Sequence, residues 1–254
     1  MKLIVLTPTY NRAHLLPRVY ESLVQQTKKD FIWLVVDDGS TDGTDKLIES
    51  FVAEAKIEIR YVYEENGGKM RAHNAGVRSL SDDLVSPECL LICLDSDDYF
   101  TKTAVNDIFE TWGKRPKKDG FAGIIAHKGI DESHTLYSAA FPDIDDTTLS
   151  GLYRRGFKGE TSLAIRTDIL MKHLFPEIPG EKYVPEDLVY DEIDKEYLWI
   201  IREKIWTICE IVEAGLTDRV DELREKNPTA WYLYYVTRAK SEPFSILKTM
   251  YAAH

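Results

Sequence analysis

Residues 90–100 read LLICLDSDDYF, an apolar run that ends in Asp95, Asp97 and Asp98. An apolar run without alternation fits a parallel strand covered by helices on both faces, which commits the rest of the chain to supplying parallel neighbours and crossover helices. The carboxylates at its end do not belong to a core. In open α/β sheets, ligands bind in the crevice outside the carboxyl ends of the strands, and hard oxygen donors there suit Mg²⁺ or Mn²⁺ carrying a phosphate.

The flanking sequence supplies those neighbours. Residues 2–7 form another apolar run, stopped at Pro8 in TPTYNR, and Leu15, Leu16, Val19, Leu23 and Val24 then recur at helical spacing with Pro17 near the first turn. A third run, 31–36, closes in DDGSTDGT, where Asp42 or Thr44 suits capping of the helix carrying Leu47, Ile48 and Phe51. Asp38, directly on the strand end and beside the Thr9 loop, is better placed for a ligand. Ile57, Ile59, Tyr61 and Tyr63 alternate with more polar positions, the pattern of a half-exposed strand near the sheet edge. NGGKMRAHNAG follows, where a glycine pair ahead of a helix frees backbone N–H groups and Lys69 with Arg71 adds positive charge, a combination that can hold a pyrophosphate or be only a flexible turn with a solvated basic face. Residues 81–88 are a polar loop, 103–112 a helix, 114–120 a basic loop and 121–126 a further buried strand. Strand alternating with helix calls for a mainly parallel, doubly wound sheet.

Past His127 the pattern changes. Residues 128–160 lack clear periodicity and are expected to line an acceptor-side cleft, with one more strand within 156–166. The proline-bounded stretch FPEIPGEKYVPEDL presents Glu186 and Asp187 at a helix start, where an acidic first turn favoured by the helix dipole is at least as good a reading as catalysis. From 187 onward the chain reads as helical or mixed. The tail, 217–247, reads as a charged helix followed by Trp231, Tyr232, Leu233, Tyr234 and Tyr235, aromatics expected to pack a helix onto the main body. The second reading of that segment is a membrane-surface contact flanked by Arg238 and Lys240.

Composition excludes several classes. With 254 residues, 44% of them hydrophobic, the chain can bury a large core, and a formal charge of −11 argues against nucleic acid as a partner. Cys89, Cys93 and Cys209 make no disulfide framework, and the first two fit a strand as small core residues of a protein in a reducing cytosol. The apolar start MKLIVL is too short for a signal segment, and no window approaches the ~20 apolar residues a membrane span needs. The expectation is a cytoplasmic protein without a transmembrane segment, with peripheral contact at the inner face of the cell membrane as an option.

TPTYNR, VVDDGSTDGT, NGGKMRAHNAG, LDSDD and PED, in that order, together resemble a family 2 glycosyltransferase of the GT-A fold, over roughly residues 3 to 190. The last part further resembles bacterial enzymes that build surface polysaccharides. The resemblance implies an α/β, doubly wound, mainly parallel sheet of Rossmann-like type with a C-terminal helical extension. Its divisions would be a nucleotide-sugar half, 1–127, an acceptor and catalytic-base half, 128–212, and the extension, 213–254.

The same resemblance implies roles. Pro8, Thr9, Tyr10 and Arg12 would line the base and ribose pocket, Asp38 would accept from the uracil N3–H, and Lys69 and Arg71 would face the uridine or diphosphate. Asp97 would be the direct ligand of a Mn²⁺ or Mg²⁺. Asp95 would contact ribose or support the metal, with Ser96 in the donor site and Asp98 behind the metal. Asp187 would be the base, with Glu186 the close alternative. Displacing a nucleoside diphosphate from a sugar needs a cation against the charge developing on the leaving phosphate and a carboxylate to take the acceptor proton, so the residue types fit the chemistry. The activity implied is inverting, metal-dependent transfer from a nucleotide-sugar donor, with a UDP-sugar favoured, to a glycan or lipid-linked glycan acceptor. A nucleotidyltransferase would show a glycine-rich basic loop after the first strand, and a phosphatase its DxD motif there. A non-catalytic nucleotide-binding protein would lack one of the carboxylates, and this chain lacks none.

Overall fold

The structure, a computed structural model, describes residues 1–115, 118–209 and 220–241. Part of the basic loop at 114–120, the boundary drawn at 212, and the portions of the 217–247 tail before 220 and beyond 241 lie outside the described residues.

The first half alternates strand and helix. It runs β1 (Lys2–Thr9), α1 (Leu16–Val24), β2 (Phe31–Asp37), α2 (Thr44–Glu54), β3 (Glu58–Tyr63), α3 (Lys69–Arg78) and β4 (Cys89–Cys93). Next come β5 (Asp98–Phe100), α4 (Ala104–Gly113) and β6 (Phe121–Gly129). The second half adds β7 (Asp146–Thr147), α5 (Leu149–Arg154), β8 (Thr161–Arg166), α6 (Thr167–Leu170), α7 (Asp187–Ile193) and β9 (Leu198–Cys209). Two further helices, α8 (Val220–Lys226) and α9 (Pro228–Ser241), follow.

The strands form one sheet in the order β3-β2-β1-β4-β8-β6-β9-β5, with β7 on β9. β3, β2, β1 and β4 are all parallel, with Leu3 opposite Phe31 on one side and Leu90 on the other. Beyond β4 the sheet is mixed: β8 runs antiparallel between β4 and β6, whereas β9 is parallel to β6. The doubly wound α/β architecture expected from the sequence is present, and its parallel character belongs to the first half. Alternating side chains of the central strands feed two cores. Leu3, Val5, Trp33, Leu90 and Ile92 pack against α1, α2 and α4, while Ile4, Leu6, Leu34 and Leu91 pack against α3, α6 and α7. The half-exposed β3 is at the edge, as its alternation predicts. Gly76 lets α3 press onto the sheet, since a Cβ there would stand 2.4 Å from Leu6 Cδ1. The C-terminal ends of β1, β2 and β4 therefore converge beside the N-terminus of α3.

Candidate functional site

The loops after β1 and β2 are stapled together. The Asn11 backbone N–H donates to Ser40 Oγ at 2.9 Å, Asn11 Oδ1 accepts from the Thr41 N–H at 2.8 Å, and Asp42 accepts from the Ala13 N–H at 2.8 Å and the Thr44 hydroxyl at 2.6 Å. Asp42 thus keeps its helix-end role and also anchors the Tyr10 loop. Tyr10 itself stands 48% exposed above a buried Thr9, an available face for a flat ring. Asp38 is 4% exposed. Its carboxylate accepts from the N–H groups of Gly67 at 2.6 Å and Gly68 at 2.8 Å and from Asn66 Nδ2 at 2.9 Å, so it shapes the NGG turn. Burial nonetheless raises its pKa above the usual carboxylate range. Gly68 is obligatory in that turn: its φ is +97° and a Cβ would lie 1.9 Å from the Lys182 carbonyl oxygen.

The turn starts α3 and aims Lys69 inward. Its ammonium lies 2.8 Å from Asp95 Oδ1 and 3.2 Å from Glu186 Oε1, so one cation joins the end of β4 to the start of α7. Burial works against the charge on Lys69, but the two carboxylates outweigh it and hold the pKa well above the ordinary lysine value. Arg71 points elsewhere, over Gly67 and towards Glu64 at 3.9 Å, on the Asp38 side of the turn.

After β4 the carboxylates divide. Burial would raise Asp95, yet Lys69 and Lys128 reverse the effect and keep its carboxyl below the usual range. Asp97 accepts from Arg12 at 2.8 Å, and the same guanidinium donates to Ser96 Oγ at 3.3 Å. Arg18 donates to the Asp97 carbonyl and lies 5.0 Å from the centre of the Tyr99 ring. Asp98 is 5% exposed and faces away to Lys128 at 3.1 Å, and its pKa is raised by burial. No group of three or more His, Cys, Asp or Glu side chains among the described residues is arranged to hold a metal ion by itself. Two carboxylates remain, and Mg²⁺ or Mn²⁺ commonly takes one or two protein carboxylates and completes its shell with phosphate oxygens and water. Asp95 and Asp97 therefore fit a cation of this kind, with Lys69 and Arg12 as the cationic side chains beside them.

The PED stretch closes the opposite wall. Asp187, the first residue of α7, pairs with Arg238 of α9 at 2.6 Å, and Arg238 Nε stands 2.9 Å from Asp191. Partial burial pushes the Asp187 pKa up against the pull of Arg238, and burial brings Asp191 to about 6. The loop before α7 is tied down on both sides. Asn74 Nδ2 donates to the Phe175 carbonyl at 2.8 Å, while Asn227 Oδ1 accepts from the Lys182 and Tyr183 N–H groups at 2.9 and 3.0 Å. Glu181 accepts from the Thr229 and Ala230 N–H groups at 2.8 Å each, which caps α9.

The structure thus brings Arg12, Lys69, Asp95, Ser96, Asp97 and Glu186 together between the end of β4 and the start of α7, with Asp187 next to Glu186 and Arg71 beside Asp38 and Glu64. Sequence reading missed Lys128, His73 and Arg238. Lys128 had one available signal, a lysine that follows an apolar strand. His73 and Arg238 had none, because each acquires its partners from elements remote in the chain.

The family model for glycosyl transferase family 2 matches residues 4–173 of the 254. A curated relative, an uncharacterized glycosyltransferase of Nostoc sp., is 28% identical over 187 residues, 70% of this chain and 55% of the relative. The poly(ribitol-phosphate) beta-N-acetylglucosaminyltransferase TarS of Staphylococcus aureus is 29% identical over 109 residues, 42% of this chain and 18% of TarS. The chain therefore spans about half, or less, of the length of these relatives. The crystal structure of S. aureus TarS 1-349 in complex with UDP-GlcNAc superposes with a TM-score of 0.68 at 19% identity, covering 99% of this chain and 69% of that one. The mannosyltransferase from Pyrobaculum calidifontis in complex with GDP-Man and Mn²⁺ gives a TM-score of 0.62 at 17% identity, with 99% and 68% covered. Those structures share the GT-A fold, and the match over two-thirds of the sequence, laid on the strand ends described above, makes this chain a member of glycosyl transferase family 2.

Proposed function

We propose that the chain transfers a sugar from a nucleotide-diphosphate sugar, with a UDP-sugar favoured, to a hydroxyl of a glycan or lipid-linked glycan, with inversion at the anomeric carbon. The observation that carries this reading is Lys69, whose ammonium reaches both Asp95 and Glu186 and so brings the acidic strand end and the PED carboxylates to one cleft. The superposed structures, one in complex with UDP-GlcNAc and one with GDP-Man and Mn²⁺, support a nucleotide-sugar donor and a divalent cation.

In this reading Tyr10, Thr9, Pro8 and Asp38 surround the nucleoside, and Arg12, Lys69 and Ser96 contact the diphosphate end. Asp97 and Asp95 would hold a Mn²⁺ or Mg²⁺, which would supply positive charge against the departing diphosphate. Asp187 takes the proton of the acceptor hydroxyl as its oxygen bonds to C1 and the C1–O bond to phosphate breaks, the electron pair leaving with the nucleoside diphosphate. Burial raises the Asp187 pKa above the usual carboxylate range, whereas Glu186 is engaged by Lys69. Residues 1–127 supply the donor half and 128–212 the acceptor half. Residues 213–254 form the extension. A screen of UDP-glucose, UDP-galactose, their N-acetyl forms, GDP-sugars and dTDP-sugars, read by nucleotide release with Mn²⁺, tests this. Release from one donor class is expected, and binding of none, with or without metal, would overturn the reading.

A further inference from the structure

We propose that Arg238, on a helix beyond the family-matched stretch, is a positioning residue that holds the Asp187 carboxylate in place to accept the proton of the acceptor hydroxyl. This rests on the reading of Asp187 as the base. Asp187 and Asp191 lie one turn apart on the same face of α7, where two carboxylates repel each other unless a cation lies between them. Arg238 is that cation, 2.6 Å from Asp187 Oδ2 and 2.9 Å from Asp191 Oδ2. A guanidinium is a planar fork with fixed donor directions, so its contact sets the orientation of the carboxylate as well as its charge. The fork is itself placed: its carbon lies 5.5 Å from the centre of the Tyr234 ring, and the side chain is 24% exposed.

α9 is in turn positioned by Glu181 at its N-terminus and by the packing of Trp231 on Tyr183, ring centres 6.1 Å apart. The segment that carries the base and the helix that orients it are thus locked together. A cavity of about 160 Å³ adjoins this pair, lined by Thr148, Ser150, Arg154, Asp191, Asp194, Lys195 and Arg238. It gives a small cation a route to the place of the guanidinium.

Among the described residues, the groups facing Asp187 and its partner include Glu186, Tyr190, Asp191 and Asp194 from α7, Tyr153 and Arg154 from α5, Tyr183 from the preceding loop, and Tyr234 with Arg238 from α9. Among the described residues Arg238 is the cation in contact with both carboxylates, so its loss leaves the repulsion between them less opposed and the base takes up a proton at higher pH.

The test is the pH profile of kcat, with donor binding measured by calorimetry, for Arg238→Gln and Arg238→Lys in the full chain. Arg238→Gln is expected to bind donor like the wild type, to shift the acid limb of kcat upward by about one pH unit, and so to lose about tenfold in rate below it. Guanidinium ion, well below denaturing concentration, should restore part of that rate. Arg238→Lys keeps a charge and should hold the limb near its wild-type position with a lower kcat. A purely structural contact between helices predicts a lower melting temperature with an unmoved acid limb and no guanidinium rescue, and that result overturns the proposal. If Arg238→Gln does not fold, an Arg238→Lys profile identical to wild type in both kcat and limb overturns it equally. Failure of the wild type to turn over any donor would instead overturn the proposed function.

Discussion

Asp97 pairs with Arg12 and Asp187 with Arg238, and these separate partners assign them separable tasks. Asp97→Ala leaves Arg12 without its carboxylate at 2.8 Å and removes a hard oxygen donor. The expected result is loss of metal-dependent donor binding by at least tenfold in calorimetry, with the melting temperature little changed because the side chain is partly exposed. Asp187→Asn keeps size and hydrogen bonding but cannot take a proton. Donor binding should persist while kcat falls by about 10²-fold or more, within the range credited to a positioned base. Glu186→Gln should instead weaken donor binding, through Lys69, and retain more of the rate. If Asp187→Asn transfers sugar normally and Glu186→Gln does not, the assignment of the base is reversed. Most of these carboxylates were legible in the chain because each follows an apolar run or opens a helix. Their cationic partners were less so, since Arg12 lies 85 positions from Asp97 and Arg238 lies 51 from Asp187.

At the scale of elements, the segment between α6 and α7 links the turn at Gly67 and Gly68 to the C-terminal helices. Asn227 is 4% exposed and accepts from two backbone N–H groups of that segment while donating to the Leu223 carbonyl at 2.7 Å. Asn227→Ala leaves those donors unsatisfied at a cost of about 1–3 kcal/mol. A lower urea midpoint with an unchanged slope is the expected outcome, together with a rise in the KM for donor, because Lys182 covers Gly68. An unchanged midpoint would mean that water replaces the amide. Strands β1, β2 and β4 were readable as unbroken apolar runs, and α1 and α9 as periodic or aromatic-rich segments. β9 was not. Its 12 residues mix charges with large apolar groups because it pairs at different places with β5, β6 and β7, so its two faces are covered unevenly along its length. α5, only 6 residues long, presents too few turns to show a period.

For the molecule as a whole, the acidic composition makes low pH the telling stress, and His73 reports on it. The ring is 6% exposed, its Nδ1 has no hydrogen-bond partner among the described residues, and burial lowers its pKa to about 4. In the unfolded chain it titrates near the ordinary value of about 6.5. Between those values the unfolded state binds the extra proton, so the full contribution is present above about pH 6.5 and is lost as pH falls towards 4, to an extent of about 3 kcal/mol. His73→Phe should flatten the dependence of the unfolding free energy on pH across that window, measured by urea titration. An unchanged slope would show that carboxylates alone account for the acid sensitivity.

The sequence by itself determined the repeated strand-and-helix order, the residues that end each strand, and the family. These follow from local periodicity and from residue types that no core can hold unpaired. Only the tertiary structure decided that β8 enters antiparallel beside β4, that Lys69 spans from Asp95 to Glu186, and that a helix beyond the family-matched stretch reaches Asp187. Each of these depends on side chains far apart in the chain meeting across a packed interface, where burial and a specific counter-charge determine the outcome, and neither is written in the spacing of residues along the chain.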